Sequence, residues 1–429
     1  MPSTSWKPWY IVFMLTLFMV LAFADRAVLG FAAVPLMRDL NLSPSQFGLA
    51  ASSTYWLSAL AGIAGGFLIN RYPTKWVLAV LAAIWAFSQL PMLWATTLEE
   101  VVVARVVLGI GEGPAFAVVL HACFKWFEDK DRAVPTSIVS EGAAFGIIFA
   151  SPVVTYIIVG YGWRTGFGVL AVLTLLWTVV WMITGAEGQV KPAAPRANDV
   201  ARVSYLRLLL DRTFIGNTLA GFSVACGITI FMSWLPPYLL KGLGYSATQA
   251  GWLTTLPWIA SIVLVLLGSY LSQRLLQRGV PSRTARGLAL CGALGVGGLC
   301  TLSMTYLQPG AMQLLLLSIG FGLPTLAWTL SPAIIGEVTP LAQRGAMLGL
   351  YVALANAFAG SLAPYFMGVL VERGATQAQG YATGFVILGC LQIVFAIVAW
   401  LLISPEASRA KFAAAEKSPA DIAASPIQA

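Results

Sequence analysis

The sequence is short of charge. Of its 429 residues only 10% are Asp, Glu, Lys or Arg, against about 25% in an average soluble protein. That shortage excludes a soluble globular enzyme, a disordered chain and a nucleic-acid binder. Histidine is rarer still: the single His121 cannot by itself supply a histidine-rich zinc site or a Ser-His-Asp triad. Cysteine is sparse and odd in number. Cys123, Cys226, Cys291, Cys300 and Cys390 lie in or at the ends of apolar stretches, where they read as small core or lipid-facing side chains rather than a disulfide frame or metal site. Hydrophobicity is abundant instead, with 59% apolar residues and a mean hydropathy of +0.82. The class this implies is an all-α, polytopic membrane protein.

A bilayer-crossing helix needs about 20 predominantly apolar residues. Twelve runs reach that length, at roughly 9–34, 46–70, 76–96, 98–123, 134–159, 165–185, 213–240, 247–273, 284–307, 311–336, 343–370 and 378–403. The first is too long for a cleavable signal peptide and carries Asp25 and Arg26. The longest polar connection, between runs six and seven, suggests two pseudo-symmetric six-helix halves, 1–190 and 213–405, joined by a cytoplasmic linker at 191–212. An Ala-, Ser- and Pro-rich tail, 406–429, is expected to be disordered. A heptapeptide match supports the repeat: Gly65, Leu68 and Arg71 recur as Gly268, Leu271 and Arg274 at an offset of 203 residues. Two parallel halves with a substrate site between them are a common architecture of secondary transporters.

The net charge of +8 is explained by placement. With a cytoplasmic N-terminus, 19 of the 25 basic residues fall in inner loops and tails and four in outer loops. Both termini are therefore expected to be cytoplasmic. The two exceptions, Arg26 and Arg105, lie inside spans with Asp25, Glu112 and, nearer an end, Glu141. A central charge costs roughly 2.5–3.5 kcal/mol on an insertion scale, so such residues mark pathways or pair with one another. Rise per residue places Arg26 and Arg105 at a similar depth, about 10–13 Å in, with Glu112 about 10 Å beyond Arg105. Two guanidiniums present forked donors suited to a carboxylate. A desolvated carboxyl takes up a proton more readily than one in water, which makes Asp25 or Glu112 a candidate proton carrier. The same four groups could instead be ion pairs that hold helices 1 and 4 together.

At these residues the sequence resembles the major facilitator superfamily and, within it, the anion:cation symporter family. That family includes bacterial phthalate, hexonate and tartrate permeases and the vesicular glutamate and sialic acid carriers. The carrying segments are Ala24-Asp25-Arg26 and Arg105-Val106-Val107-Leu108-Gly109-Ile110-Gly111-Glu112-Gly113-Pro114-Ala115-Phe116. Further support comes from Lys125-Trp126-Phe127 with Arg132, Gly162-Trp163-Arg164, and Ser233-Trp234-Leu235-Pro236-Pro237-Tyr238-Leu239. The resemblance implies no enzymatic activity and no cofactor. It implies uptake of a small organic anion by alternating access, driven by a proton or sodium gradient, in a bacterial inner membrane and by a monomer. It assigns Arg26 and Arg105 to the anion and Asp25 and Glu112 to proton coupling.

Departures from the family pattern bear on the gate and the substrate. The loop between spans 2 and 3 reads Gly66, Asn70-Arg71-Tyr72-Pro73, with Asn70 where the superfamily motif has Asp. Arg71 keeps the basic position, and Glu141 or Glu128 would have to replace the missing gate carboxylate. Phe23 and Ser58 stand where sugar-acid carriers present tyrosines, which argues against a heavily hydroxylated substrate. Phe23, Tyr55, Trp234 and Trp328 would suit an aromatic or otherwise apolar carboxylate, with Asn356 and Ser331 as second-half donors. Two other functions stay open, an organic-anion exchanger and a transporter-like ligand sensor.

Overall fold

The computed structural model describes residues 6–68, 71–128, 131–188, 203–340 and 343–416, and among these it contains helices and no strands. Twelve helices are long and apolar enough to span a membrane. We number them α1 (Trp6–Asp39), α2 (Pro44–Gly65), α3 (Thr74–Leu93), α4 (Leu98–Phe124), α5 (Val134–Tyr161), α6 (Trp163–Thr184), α7 (Arg212–Gly242), α8 (Ala247–Gln277), α9 (Arg283–Tyr306), α10 (Ala311–Val338), α11 (Arg344–Arg373) and α12 (Gln377–Leu402). A further helix, α13 (Pro405–Glu416), follows. Asn70 and residues 191–202 and 417–429 lie outside the described residues.

Local sequence explains where several helices begin. Ser43 and Gln46 form a reciprocal capping box at the start of α2, with Pro44 in the first turn. Thr97 and Glu100 do the same for α4, and Ser246 and Gln249 for α8. Each box satisfies two amide donors that a helix N-terminus would otherwise leave unpaired. The boxes of α2 and α8 stand 203 residues apart, the offset of the heptapeptide repeat at the other ends of the same helices. The repeat therefore covers whole helices.

Packing divides the chain into two compact units that do not follow the span count. The first holds Met1–Ala194, Ile228–Ile259 and Gly360–Gly384; the second holds Pro195–Gly227, Ala260–Ala359 and Phe385–Ala429. Within the first unit α1 packs on α5 and α6, α3 on α6, and α2 on α4. A core of Phe18, Trp85 and Trp177 ties α1, α3 and α6, with ring centroids 4.4 Å and 4.9 Å from Phe18. Segments from the second half of the sequence dock on it through backbone-close contacts. Gly48 lies against Pro364, Gly30 against the carbonyl of Met232, and Gly360 against the ring of Tyr55. Ser52 Oγ accepts a hydrogen bond from the Tyr365 amide at 3.1 Å, and Glu372 accepts one from the Ser45 amide at 3.0 Å.

In the second unit α9 packs on α10, and α13 also packs on α10. The expectation of a disordered tail from 406 onward is corrected for its first part. Residues 405–416 are helical because Ser408 and Phe412 are buried, Phe412 beside Ile335, Met347 and Tyr351. Ser408 Oγ donates to Asp211 at 2.7 Å. The described end of the linker is also ordered: Val203 exchanges two hydrogen bonds with the side chain of Gln343, at 3.0 and 2.7 Å.

Each six-span half of the sequence ties the start of its third span to a glutamate that follows its sixth. Glu187, after α6, accepts from the Thr74 amide at 3.1 Å, the Thr74 hydroxyl at 2.9 Å and the Lys75 amide at 3.2 Å. It also pairs with Lys125 at the end of α4. Glu406, after α12, accepts from the Arg283 amide at 2.9 Å. A carboxylate at a helix N-terminus neutralises unpaired amides and the positive end of the helix dipole.

Candidate functional site

Four intramembrane charges from α1 and α4 converge in the first unit. Asp25, Arg105 and Glu112 are 0%, 2% and 3% exposed. Arg26 is the exception, with 24% of its side chain accessible. Its Nε donates to Glu112 Oε2 at 2.5 Å, and its guanidinium lies 5.0 Å from the Phe23 ring centroid. The α4 arginine is held differently. Arg105 Nε donates to Thr54 Oγ1 at 3.2 Å and a terminal nitrogen donates to the backbone carbonyl of Asp25 at 3.3 Å. Two cations and two carboxylates sum to zero, which makes burial of the set tolerable where a lone charge would be prohibitive.

The local sequence of α4 makes this approach possible. Its helix is interrupted at Gly113-Pro114, directly after Glu112. Added Cβ atoms on Gly109 and Gly113 would run into the carbonyls of Thr54 and Ser58. The glycine-rich stretch therefore works as a close-contact face against α2, as small residues do between membrane helices. That contact brings Thr54 to Arg105.

Arg26, Arg105, Tyr55, Thr54, Leu29, Ala51, Met232 and Ser233 line one cleft, of about 10 Å³ free volume. That is about the space of one water, so the two arginines here face side chains of the protein itself. Glu112 behind Arg26 and Thr54 beside Arg105 occupy donors that an anion would use.

The other expected site residues fall into place unevenly. Tyr55 lines the cleft with its ring against Gly360. Ser58 does not line it: its hydroxyl turns back to the Tyr55 carbonyl at 3.3 Å, beside the interruption of α2 at Leu57. Trp234 is fully buried, donating to the Pro364 carbonyl at 2.9 Å and packed edge-on to Phe47. It joins helices and is not a wall for substrate. Trp328 and Asn356 belong to the second unit. There the Trp328 ring packs on Tyr351 at 6.3 Å and the Asn356 amide donates to Val352 of its own helix at 2.8 Å.

Glu141 is half-buried on α5 and has no ion pair among the described residues, and Arg71 is exposed with none either. Neither shows a lock at the helix ends. The carboxylate that gathers the α3 and α4 ends is Glu187, a residue that composition hid among the polar residues after span 6. Burial alone would push its carboxyl up, but Lys125 and the Thr74 and Lys75 donors outweigh that and hold it below the usual glutamate value.

Residues 15–326 and 218–428 match the Major Facilitator Superfamily. The probable sulfoacetate transporter of Cupriavidus necator is 29% identical over 403 residues, covering 90% of this chain and 91% of its own. The D-galactonate transporter of Escherichia coli is 25% identical, covering 91% of this chain and 94% of its own. The hexuronate transporter of Bacillus subtilis is 26% identical, covering 87% and 91%. Among solved structures, a bacterial homolog of the human lysosomal transporter Spinster, inward-facing and occupied, superposes with a TM-score of 0.82 at 17% identity, over 97% of this chain and 100% of that one. The D-xylose-proton symporter gives 0.76 at 20% identity, over 94% and 99%. Such structural likeness shows the fold.

Proposed function

The chain belongs to the Major Facilitator Superfamily, and from that premise we propose that it carries a small organic carboxylate across the membrane together with a proton. Its relatives transport organic acids, and the site has the chemistry for one. The observation that carries the reading is the Arg26–Glu112 pair at the edge of a cleft shared with Arg105. Glu112 occupies the arginine that a substrate carboxylate needs. A proton arriving on Glu112 releases Arg26, and the anion then docks on Arg26 and Arg105 with bidentate geometry. With the site neutralised, the protein switches access and releases anion and proton on the other side. Asp25, buried beside the backbone that Arg105 contacts, is the second proton carrier. The driving gradient is protons in preference to sodium, and the transporter works as a monomer.

The substrate is compact and weakly hydroxylated. Leu29, Ala51 and Met232 form an apolar wall, and Thr54 is already engaged by Arg105, leaving Tyr55 and Ser233 as the cleft's other hydroxyls. Sulfoacetate, named for one relative, carries no hydroxyl group and fits that description better than a sugar acid. An aromatic acid would rely on Phe23 and Tyr55, since Trp234 is committed to packing. The distribution of basic residues, 19 of 25 on one side, supports cytoplasmic termini in a bacterial inner membrane.

The test is Glu112→Gln in proteoliposomes, using the anion that most raises the melting temperature of the purified protein in a carboxylate panel. Proton-driven net uptake should collapse while counterflow exchange of the anion survives. Unchanged driven uptake removes Glu112 from coupling, and a wild-type protein that exchanges but never concentrates the anion is an exchanger.

A further inference from the structure

The mechanism above uses Asp25 but leaves its surroundings unexplained. Asp25 is not among the residues that line the cleft, it is 0% exposed, and neither carboxylate oxygen has a hydrogen-bond partner among the described residues. Two neutral polar side chains lie near enough to act on it as hydrogen-bond donors, Gln89 from α3 and Thr174 from α6. Both are 1% exposed, and the Gln89 amide nitrogen and the Thr174 hydroxyl likewise lack any partner among the described residues. A native interior rarely leaves so many buried polar atoms unpaired in one place. The charged groups that act on Asp25 are Arg105 and Glu112, both from α4. On the α3 and α6 sides its polar neighbours are neutral.

Helix register supports the grouping. Gln89 lies one turn from Trp85, Thr174 one turn from Trp177, and Asp25 two turns from Phe18. Phe18, Trp85 and Trp177 pack together as a single aromatic layer, so the polar trio forms the adjoining layer across the same three helices. Nothing about stability requires an amide and a hydroxyl here, because apolar side chains would pack against the aromatic layer without unpaired donors.

We propose that Gln89 and Thr174 are positioning residues for the proton on Asp25, donating to its ionised form and so setting the pH at which it releases that proton. The site lies buried between α1, α3 and α6, and its three residues do not line the arginine cleft. It communicates with the cleft through Arg105, which binds the Asp25 carbonyl and lines the cleft. The proposal rests on the reading of Asp25 as a proton carrier and extends it to two residues with no charge.

Infrared titration of the purified wild-type protein, without substrate, tests it. The carboxyl C=O band of Asp25 is the one lost in Asp25→Asn. Gln89→Leu and Thr174→Val each withdraw a donor from the carboxylate, so the band should persist to higher pH, by about one pH unit, a tenfold gain in proton affinity. Thr174→Ser keeps the hydroxyl and should titrate as wild type. Gln89→Asn, which draws the amide back by one methylene, should move in the same direction as Gln89→Leu and serves if the apolar variant fails to fold. Midpoints unmoved in these donor variants overturn the positioning role while leaving Asp25 a proton carrier. A spectrum with no titrating band sensitive to Asp25→Asn overturns the proton-carrier reading itself.

Discussion

Removing both partners of the Arg26–Glu112 pair should cost clearly less than the two single removals add up to. Glu112 has 1% of its side chain exposed and its second oxygen has no hydrogen-bond partner among the described residues. Arg26→Met therefore strands a carboxylate in the interior, a change that costs about 3–5 kcal/mol. Glu112→Gln is milder. Arg26 is a quarter exposed and lies over Phe23, so it loses a charged hydrogen bond of about 1.5–3 kcal/mol while its charge keeps a route to the cleft. The double variant Arg26→Met/Glu112→Gln removes the pair without leaving either charge behind. It should cost about as much as Arg26→Met alone rather than the sum of the two, a coupling energy of about 2–3 kcal/mol. Equilibrium unfolding in mixed micelles, followed by tryptophan fluorescence, measures all four corners of the cycle. Single-variant costs that add to within about 0.5 kcal/mol would show that the two groups are not energetically paired. A proton on Glu112 would then have no hold on Arg26 to release.

Two further outcomes follow from contacts elsewhere in the first unit. A Cβ on Gly48 would stand 2.5 Å from the Pro364 carbonyl oxygen and 2.9 Å from the Tyr365 Cα, both backbone atoms that cannot rotate aside. Gly48→Ala should disfavour this close packing by about 1–3 kcal/mol. Disulfide cross-linking between cysteines placed at Ser45 and Glu372 in a cysteine-free background should fall accordingly, and undiminished cross-linking would contradict the tight seam. Glu187 is held below the ordinary glutamate value, so its stabilisation is complete above that value and is lost as pH falls below it, through the depressed folded value. The melting temperature of Glu187→Gln should therefore lie below wild type at pH 7 and converge with it in acid. A constant gap would mean that Glu187 acts through packing.

The spans and the intramembrane quartet were legible because each has a local signature, a long apolar run for the one and a charge where none belongs for the other. Side-chain direction was not legible. In a chain with 12% aromatics, nothing near Trp234 distinguished a substrate wall from a buried ring bonded to Pro364. Ser58 stands where sugar-acid carriers present a tyrosine, but its hydroxyl turns to the Tyr55 carbonyl of its own helix, a direction its position in the sequence does not reveal. Gln89 and Thr174 escaped notice because uncharged polar residues are unremarkable in a span until a buried carboxylate is found beside them. Glu187 acts on residues 113 positions earlier, a separation no local pattern reports. Glu141 was the more visible carboxylate, but it has no ion pair among the described residues.

The twin glutamate caps also set an order of events during synthesis. The amide of Thr74 waits for a residue 113 positions downstream, and that of Arg283 for one 123 positions downstream. At a ribosomal pace of about 5–20 residues per second, each third helix spends about 6–25 seconds in the bilayer before its cap exists. Until then its first turn must be satisfied by water or lipid headgroups, so each half matures only when its last helix has been delivered. A chain that stalls between α3 and Glu187 would expose an uncapped helix end.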